Sequence, residues 1–215
     1  MTDPKPSSVG SKMLNVLVAP AEVFDEVLAA PYQTANWRLP TLMVSLAAIV
    51  LVIAIGQPSA EANASIMADR NSYLGAWPLL TGLIVGGIAF CGTFWTAASL
   101  WLISRWFLRV RLPYLKTVEV VGLSGTILLL GTVVTGLLIG VTGDIHCRPS
   151  PGLLFNQVGH GKGFQLLETF NFFELWSATV LAIGLSRLSA VSFKEAAFWV
   201  YGFWVMVRIG LVLLA

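Results

Sequence analysis

Five long apolar runs constrain the fold of this 215-residue chain more than any other feature. The runs cover residues 39–56, 78–103, 118–141, 166–185 and 196–215. Each can cross about 30 Å of hydrocarbon as a helix. Hydrocarbon offers no water to backbone amides, so spanning segments are helices or closed barrels, and these runs lack the apolar and polar alternation of barrel strands. The sequence predicts an all-α, polytopic membrane protein with five transmembrane helices.

Composition and charge narrow the class further. The chain is 56% hydrophobic and 11% charged, with a mean hydropathy of +0.79, far from an ordinary soluble domain. Its net charge of +2 gives no reason to expect a nucleic-acid partner. Nine lysines and arginines precede the first run or follow the second and fourth, against three in the other two loops. The positive-inside rule predicts a cytoplasmic N-terminus and an outside C-terminus.

Three segments are predicted: a disordered cytoplasmic tail (1–12), a cytoplasmic interfacial helix with its linker (13–38) and a five-helix transmembrane domain (39–215). The interfacial helix is amphipathic, with an apolar stripe opposite an acidic face. We expect it to lie on the cytoplasmic leaflet or to dock on the basic loop between the second and third runs, with simple surface packing left open. The stripe consists of Phe24, Val27 and Leu28, and the basic loop carries Arg105, Arg109, Arg111 and Lys116.

Ionisable residues inside a bilayer are costly, so each needs a partner or a function. Glu119 and Glu168 lie in the first turns of their runs, where the helix N-terminus and the nearby interface stabilise a carboxylate. Glu174 and Arg208 lie about 10 to 12 Å below the outer surface at 1.5 Å per residue. Because a short loop joins their two runs, these two side chains are predicted to form an ion pair.

A short polar stripe is predicted on the fourth span. Asn171 is three residues from both Glu168 and Glu174, so the three would share one helix face. Such a stripe can line a water-filled path or hold helices together, and we favour the second interpretation.

Glycine pairs predict close helix packing near the outer leaflet. Gly82 with Gly86 in the second span, and Gly136 with Gly140 in the third, have the small-xxx-small spacing that lets backbones approach. We expect these two spans to cross tightly there, and a homo-oligomeric contact at the same glycines is left open.

No catalytic residue, cofactor site or metal site is predicted. Both histidines, His146 and His160, fall in an outer loop, so the spans contain no histidine to act as a base or a ligand. The spacing of these histidines and Cys147 matches no zinc pattern, and metal binding there is left open.

Short motifs at both ends of the chain carry a family resemblance. They are Val18-Ala-Pro20-Ala-Glu-Val-Phe24, Pro31, Trp37-Arg-Leu-Pro40, Phe173-Glu-Leu-Trp176, Ile183-Gly-Leu185 and Ser192-Phe-Lys-Glu-Ala196. Together they resemble bacterial members of the Yip domain family, the five-span relatives of eukaryotic Ypt/Rab-interacting proteins. The resemblance implies five helices, the same orientation and a bacterial inner membrane. It does not imply GTPase binding, because the Asp-Leu-Tyr-Gly-Pro motif typical of eukaryotic members is absent.

Two functions follow as hypotheses. The favoured one is a non-enzymatic membrane protein that binds or organises other membrane components, with a protein partner on the cytoplasmic side. The alternative is a small transporter or channel in which Glu174, Arg208 and Asn171 line a polar path. The five runs show no inverted repeat, which weighs against the alternative.

Overall fold

A computed structural model describes residues 7–64, 77–143, 147–151 and 170–214. These residues form helices and no strand, so the all-α prediction is confirmed for the part of the chain described. The helices are α1 (Val9–Asn15), α2 (Pro20–Ala29), α3 (Ala35–Ala64), α4 (Trp77–Trp106), α5 (Tyr114–Thr142), α6 (Phe172–Ser189) and α7 (Phe193–Leu214).

Three of these helices are long and apolar enough to cross a membrane, namely α3 over Ala35–Gly56, α4 over Pro78–Trp106 and α5 over Tyr114–Thr142. Most of their positions are not buried inside the protein, so apolar side chains face outward, as lipid contact requires. Helices α6 and α7 are not among the three candidate spans. Ionisable side chains occur on both: Glu174 and Arg187 on α6, and Lys194, Glu195 and Arg208 on α7. The structure therefore supports three of the five predicted spans.

Helix α6 begins at Phe172, later than the predicted start of the fourth span at residue 166. Asn171 is its N-cap, with extended backbone and a side-chain oxygen that accepts from the Phe173 N–H at 2.9 Å. Asparagine suits this position because it satisfies an N–H that the first turn leaves without a helical partner. The predicted stripe on one face of this helix is therefore wrong for Asn171, and Glu168 lies outside the described residues.

The N-terminal segment forms two helices instead of one interfacial helix. Helix α1 begins at Val9, inside the segment predicted to be disordered, and the Ser8 hydroxyl caps it by accepting from the Ser11 N–H at 3.2 Å. Pro20 begins α2, and Ala19 before it has a non-helical φ of −131° because proline disfavours helical backbone in the preceding residue. We call α1 and α2 together the N-terminal cap.

The apolar stripe of α2 is covered by protein. Phe24 and Val27 are fully buried and belong to one cluster with Val120 and Leu123 of α5 and Val180 of α6. A helix packed in this way does not need a lipid leaflet to cover its apolar side. The expected placement of this helix on the leaflet is therefore not shown. The structure shows instead that α2 packs against α5 and α6.

The cap lies at one end of the helix bundle. Helix α3 packs against both α4 and α5, α6 packs against α5 and α7, and α2 contacts α5 and α6. The contacts of α2 are with the start of α5 and the end of α6, where Arg187 lies 3.5 Å from Asp25. We call this end, with the α4–α5 loop and the α6–α7 turn, the basic end.

Three of the four paired glycines pack against α3, so the predicted crossing of the second and third spans at these glycines is wrong. A Cβ added at Gly86 would lie 2.4 Å from Ile49 Cγ1, and one at Gly82 would lie 3.2 Å from the Ile49 carbonyl oxygen. Gly136 also faces α3, whereas Gly140 has no neighbour within 4 Å of an added Cβ. The spacing predicts a close approach but carries no information on which neighbour makes it.

Replacing Gly122 by alanine tests the approach of α5 to α3. An added Cβ would lie 2.5 Å from the Trp37 Cα, and a backbone atom cannot move aside as a flexible side-chain end can. We expect Gly122→Ala to lower the free energy of unfolding in detergent by about 1 to 3 kcal/mol. In the matched variant Gly125→Ala the added Cβ meets Val44 at 3.8 Å, so unchanged or higher stability is expected. Equal stability of the two variants would contradict this packing.

Candidate functional site

The N-terminal cap is attached to the bundle by buried charges. We call Lys12, Glu26, Gln33, Asn36, Lys116 and Glu119 the lysine–glutamate cluster. Its centre is Glu119, which is completely buried on α5, with Oε2 at 2.7 Å from the Lys116 Nζ. The two residues are three apart on one helix, a spacing that brings their side chains together.

The second oxygen of Glu119 binds the turn that leads into α3. Its Oε1 accepts from the Gln33 backbone N–H at 2.6 Å and from the Asn36 Nδ2 at 3.0 Å. Hydrogen bonds to an ionised carboxylate are stronger than neutral ones, because the acceptor carries a full charge. One buried side chain therefore fixes the entry of α3 on α5.

Lys116 ties the same point to the cap. Its Nζ donates to the carbonyl oxygens of Val27 at 2.8 Å and Ala30 at 2.9 Å. Carbonyls at a helix C-terminus lack helical donors and carry partial negative charge, so an ammonium there is favourable. The Glu119 carboxylate beside it balances the charge of the same ammonium. The end of α2 is thus held on the start of α5.

A second ion pair closes the cap on itself. Lys12 is completely buried, with Nζ 3.6 Å from Glu26 Oε1 and 3.5 Å from Gln33 Oε1. Glu26 also accepts from the Ser7 backbone N–H at 2.9 Å and from the Ser7 hydroxyl at 2.7 Å. Burial by itself would raise the pKa of Glu26, but these hydrogen bonds and the charge of Lys12 outweigh it and leave the pKa below its ordinary value.

One residue of the predicted basic loop belongs to this cluster and is not available on the surface as expected. Lys116 is turned inward and neutralised, whereas Arg105, Arg109 and Arg111 remain exposed. Sequence reasoning placed Glu119 at the membrane interface and missed the cluster. The Lys116 and Glu119 spacing was an available signal, but the contact between residues 33 and 119 depends on tertiary packing and has no local signature.

A separate polar seam joins α6 to α7. The Arg208 guanidinium contacts the Glu174 carboxylate, the pairing expected from their common depth. The Arg208 guanidinium also lies 5.7 Å from the ring centre of Trp204, and farther along the same two helices the Thr179 hydroxyl is 2.6 Å from the Tyr201 hydroxyl. The Glu174–Arg208 and Thr179–Tyr201 contacts link α6 with α7.

The described residues offer no cluster of metal-binding side chains. No group of three histidine, cysteine or acidic side chains that could hold a metal ion occurs among them. Cys147 is buried with its thiol unbridged, and His146 and His160 lie outside the described residues.

Comparison with known protein families identifies the family of this chain. The family model described as the Yip1 domain matches residues 14–215, which is nearly the whole chain. No curated protein and no solved structure matches.

Removing the Glu119 charge should loosen the bundle at the basic end. In Glu119→Gln the partly buried Lys116 ammonium loses its counter-charge, and we expect the free energy of unfolding to fall by about 3 kcal/mol. The double variant Lys116→Met/Glu119→Gln should recover about 1 to 2 kcal/mol, measured as the coupling energy of a double-mutant cycle. The control Glu195→Gln removes an exposed carboxylate and should change little. Additive single effects would rule out the pair.

Stability should also depend on pH through Glu26. The pKa of Glu26 is lower in the folded protein than in the unfolded chain. Its contribution to the free energy of unfolding is therefore fully present above the unfolded pKa of about 4.3 and is lost as the pH falls through the folded pKa. We expect the melting temperature to fall on acidification below that range, and to fall less in Glu26→Gln. Glu22→Gln, an exposed change on the same helix, should keep the wild-type profile. Identical pH profiles for all three proteins would show that Glu26 does not contribute to the pH dependence of stability.

Proposed function

The chain belongs to the Yip1 domain family, and from that premise we propose that it is a non-enzymatic integral membrane protein that binds or organises other membrane components. The Yip1 family is not known as an enzyme family. The contact surface proposed for a protein partner is the basic end, formed by the N-terminal cap and the loops beside it.

Five spans are part of this proposal, with α6 and α7 as the fourth and fifth. Helix α6 has 18 residues and α7 has 22, which at 1.5 Å per residue makes them about 27 and 33 Å long. Pairing of Glu174 with Arg208 lowers the cost of placing either charge in the membrane. The N-terminus then lies in the cytoplasm and the C-terminus outside, in a bacterial inner membrane.

The observation that carries the proposal is a fixed cap with apolar side chains on its outside. Met13 on α1 and Val16 just after it are buried, whereas Leu14 on α1 is 68% exposed and Val18 in the α1–α2 turn is 86% exposed. The buried charge of Lys12 holds α1 in place, so these exposed side chains are presented on a fixed surface. Exposed apolar groups on a preorganised surface favour contact with a partner protein.

Affinity capture from the native membrane in mild detergent tests the proposal. We expect a stoichiometric partner that is lost or strongly reduced in the variant Leu14→Gln/Val18→Gln. Both side chains are exposed, so the variant should melt like the parent. Deletion of the whole cap would be a poorer test, because it uncovers Val120 and Leu123. Recovery of the protein alone, or only of copies of itself, would count against a partner at the cap.

The transporter alternative makes a different prediction about the α6–α7 seam. If Glu174 and Arg208 pair for packing, Glu174→Gln and Arg208→Gln should each lower the melting temperature and the double change should recover part of it. Solute or ion flux in vesicles should be absent for parent and variants alike. Single variants that melt like the parent but change a measured flux would favour the transporter.

A further inference from the structure

Three arginines without an acidic partner lie at the end of α4 and in the α4–α5 loop. Arg105, Arg109 and Arg111 are exposed, and no described carboxylate pairs with them. The ion pairs among the described residues use other cations: Lys12, Lys116, Arg187 and Arg208. We propose that these three arginines bind the phosphate groups of anionic phospholipids in the leaflet at the basic end.

The loop that presents them is anchored. Leu108 and Leu112 are buried, and the Trp101 Nε1 donates to the Leu112 carbonyl oxygen at 3.1 Å. The Val110 N–H donates to the Ser104 carbonyl oxygen at 2.9 Å, which continues the end of α4 into the loop. A loop held at both ends loses less conformational freedom on binding, which favours a defined site.

The backbone at Arg109 supports a role for its side chain. Its φ of 58° lies in the left-handed region, where glycine is less strained than any residue with a Cβ. Strain at a non-glycine position is a reason to look for a function of that residue. Arg109 is exposed, whereas Leu108 before it is buried.

Aromatic residues indicate that the arginines lie at headgroup depth. Trp106 is 66% exposed and Phe107 is 50% exposed at the junction of α4 with the loop, and Leu115 is 53% exposed at the start of α5. Exposed tryptophan at the end of a membrane-spanning helix is typical of the interface between hydrocarbon and headgroups. Guanidinium groups at that level meet lipid phosphates and can bind them through paired N–H donors.

The charge selects the class of lipid. Three arginines without carboxylates attract net negative headgroups more than zwitterionic ones, with a gain of about fivefold in affinity for each basic residue near the surface. A soluble acidic protein would not explain apolar side chains beside the arginines as directly as a lipid does. This inference goes beyond the proposed function, because it needs no protein partner and stands if capture finds none.

Native mass spectrometry of the full-length protein in neutral detergent tests it, with phosphatidylglycerol and phosphatidylcholine as the added probes. The parent should bind phosphatidylglycerol more tightly. Arg109→Gln/Arg111→Gln should weaken phosphatidylglycerol binding about 25-fold and leave phosphatidylcholine binding unchanged. Both positions are exposed and unpaired, so the melting temperature should not move.

Lys194→Gln is the matched control. Lys194 is an exposed cation at the start of α7, at the same end of the bundle, and its loss should cost little affinity if the loop is a defined site. Equal weakening by this variant, charge for charge, would show diffuse attraction instead. Equal binding of the two lipids by the parent, or unchanged phosphatidylglycerol binding by the arginine variant, would also overturn the proposal.

Discussion

The fold at the basic end depends on how one buried carboxylate is neutralised. Glu119 has no exposed surface, and an uncompensated charge in such a place costs several kcal/mol. Glu119 contacts Lys116 on its own helix and the Gln33 N–H before α3. Lys116 in turn donates to the carbonyl oxygens that end α2, so three separate segments meet at this charge. Satisfying this one charge therefore fixes the positions of α2, α3 and α5 relative to each other.

Close packing around this point has little tolerance. Gly122 lies one helical turn beyond Glu119 and lets α5 approach the backbone of α3 at Trp37. Gly184 lets α6 approach α5 and α2, since an added Cβ there would meet the Val120 side chain at 2.3 Å and the Phe24 ring at 3.2 Å. The buried charges and the missing side chains act together, because the hydrogen bonds of Glu119 require the short distance that Gly122 allows. The cap is therefore a fixed part of the molecule, and its outer face belongs to the surface that we propose for contact with other membrane components.

Much of this could be predicted from sequence and some could not. Apolar length and the avoidance of unpaired amides led to helices, and common depth led to the pairing of Glu174 with Arg208, because both arguments need only local spacing. Asn171 was misplaced because its capping preference competes with helix periodicity. Gly82 and Gly86 approach α3 instead of α5, a choice set by the order of helices in the bundle. The contact of Gln33 with Glu119 is long-range, so composition and periodicity contain no sign of it.

Hydrogen exchange in lipid nanodiscs, followed by mass spectrometry, tests most directly whether the cap is a fixed part of the molecule. If the lysine–glutamate cluster holds α1 and α2 on the bundle, amides of Val9–Asn15 and Pro20–Ala29 should be protected to nearly the same degree as those at the start of α5. Exchange of both cap helices at the rate of an unfolded peptide, with α5 protected, would contradict this account.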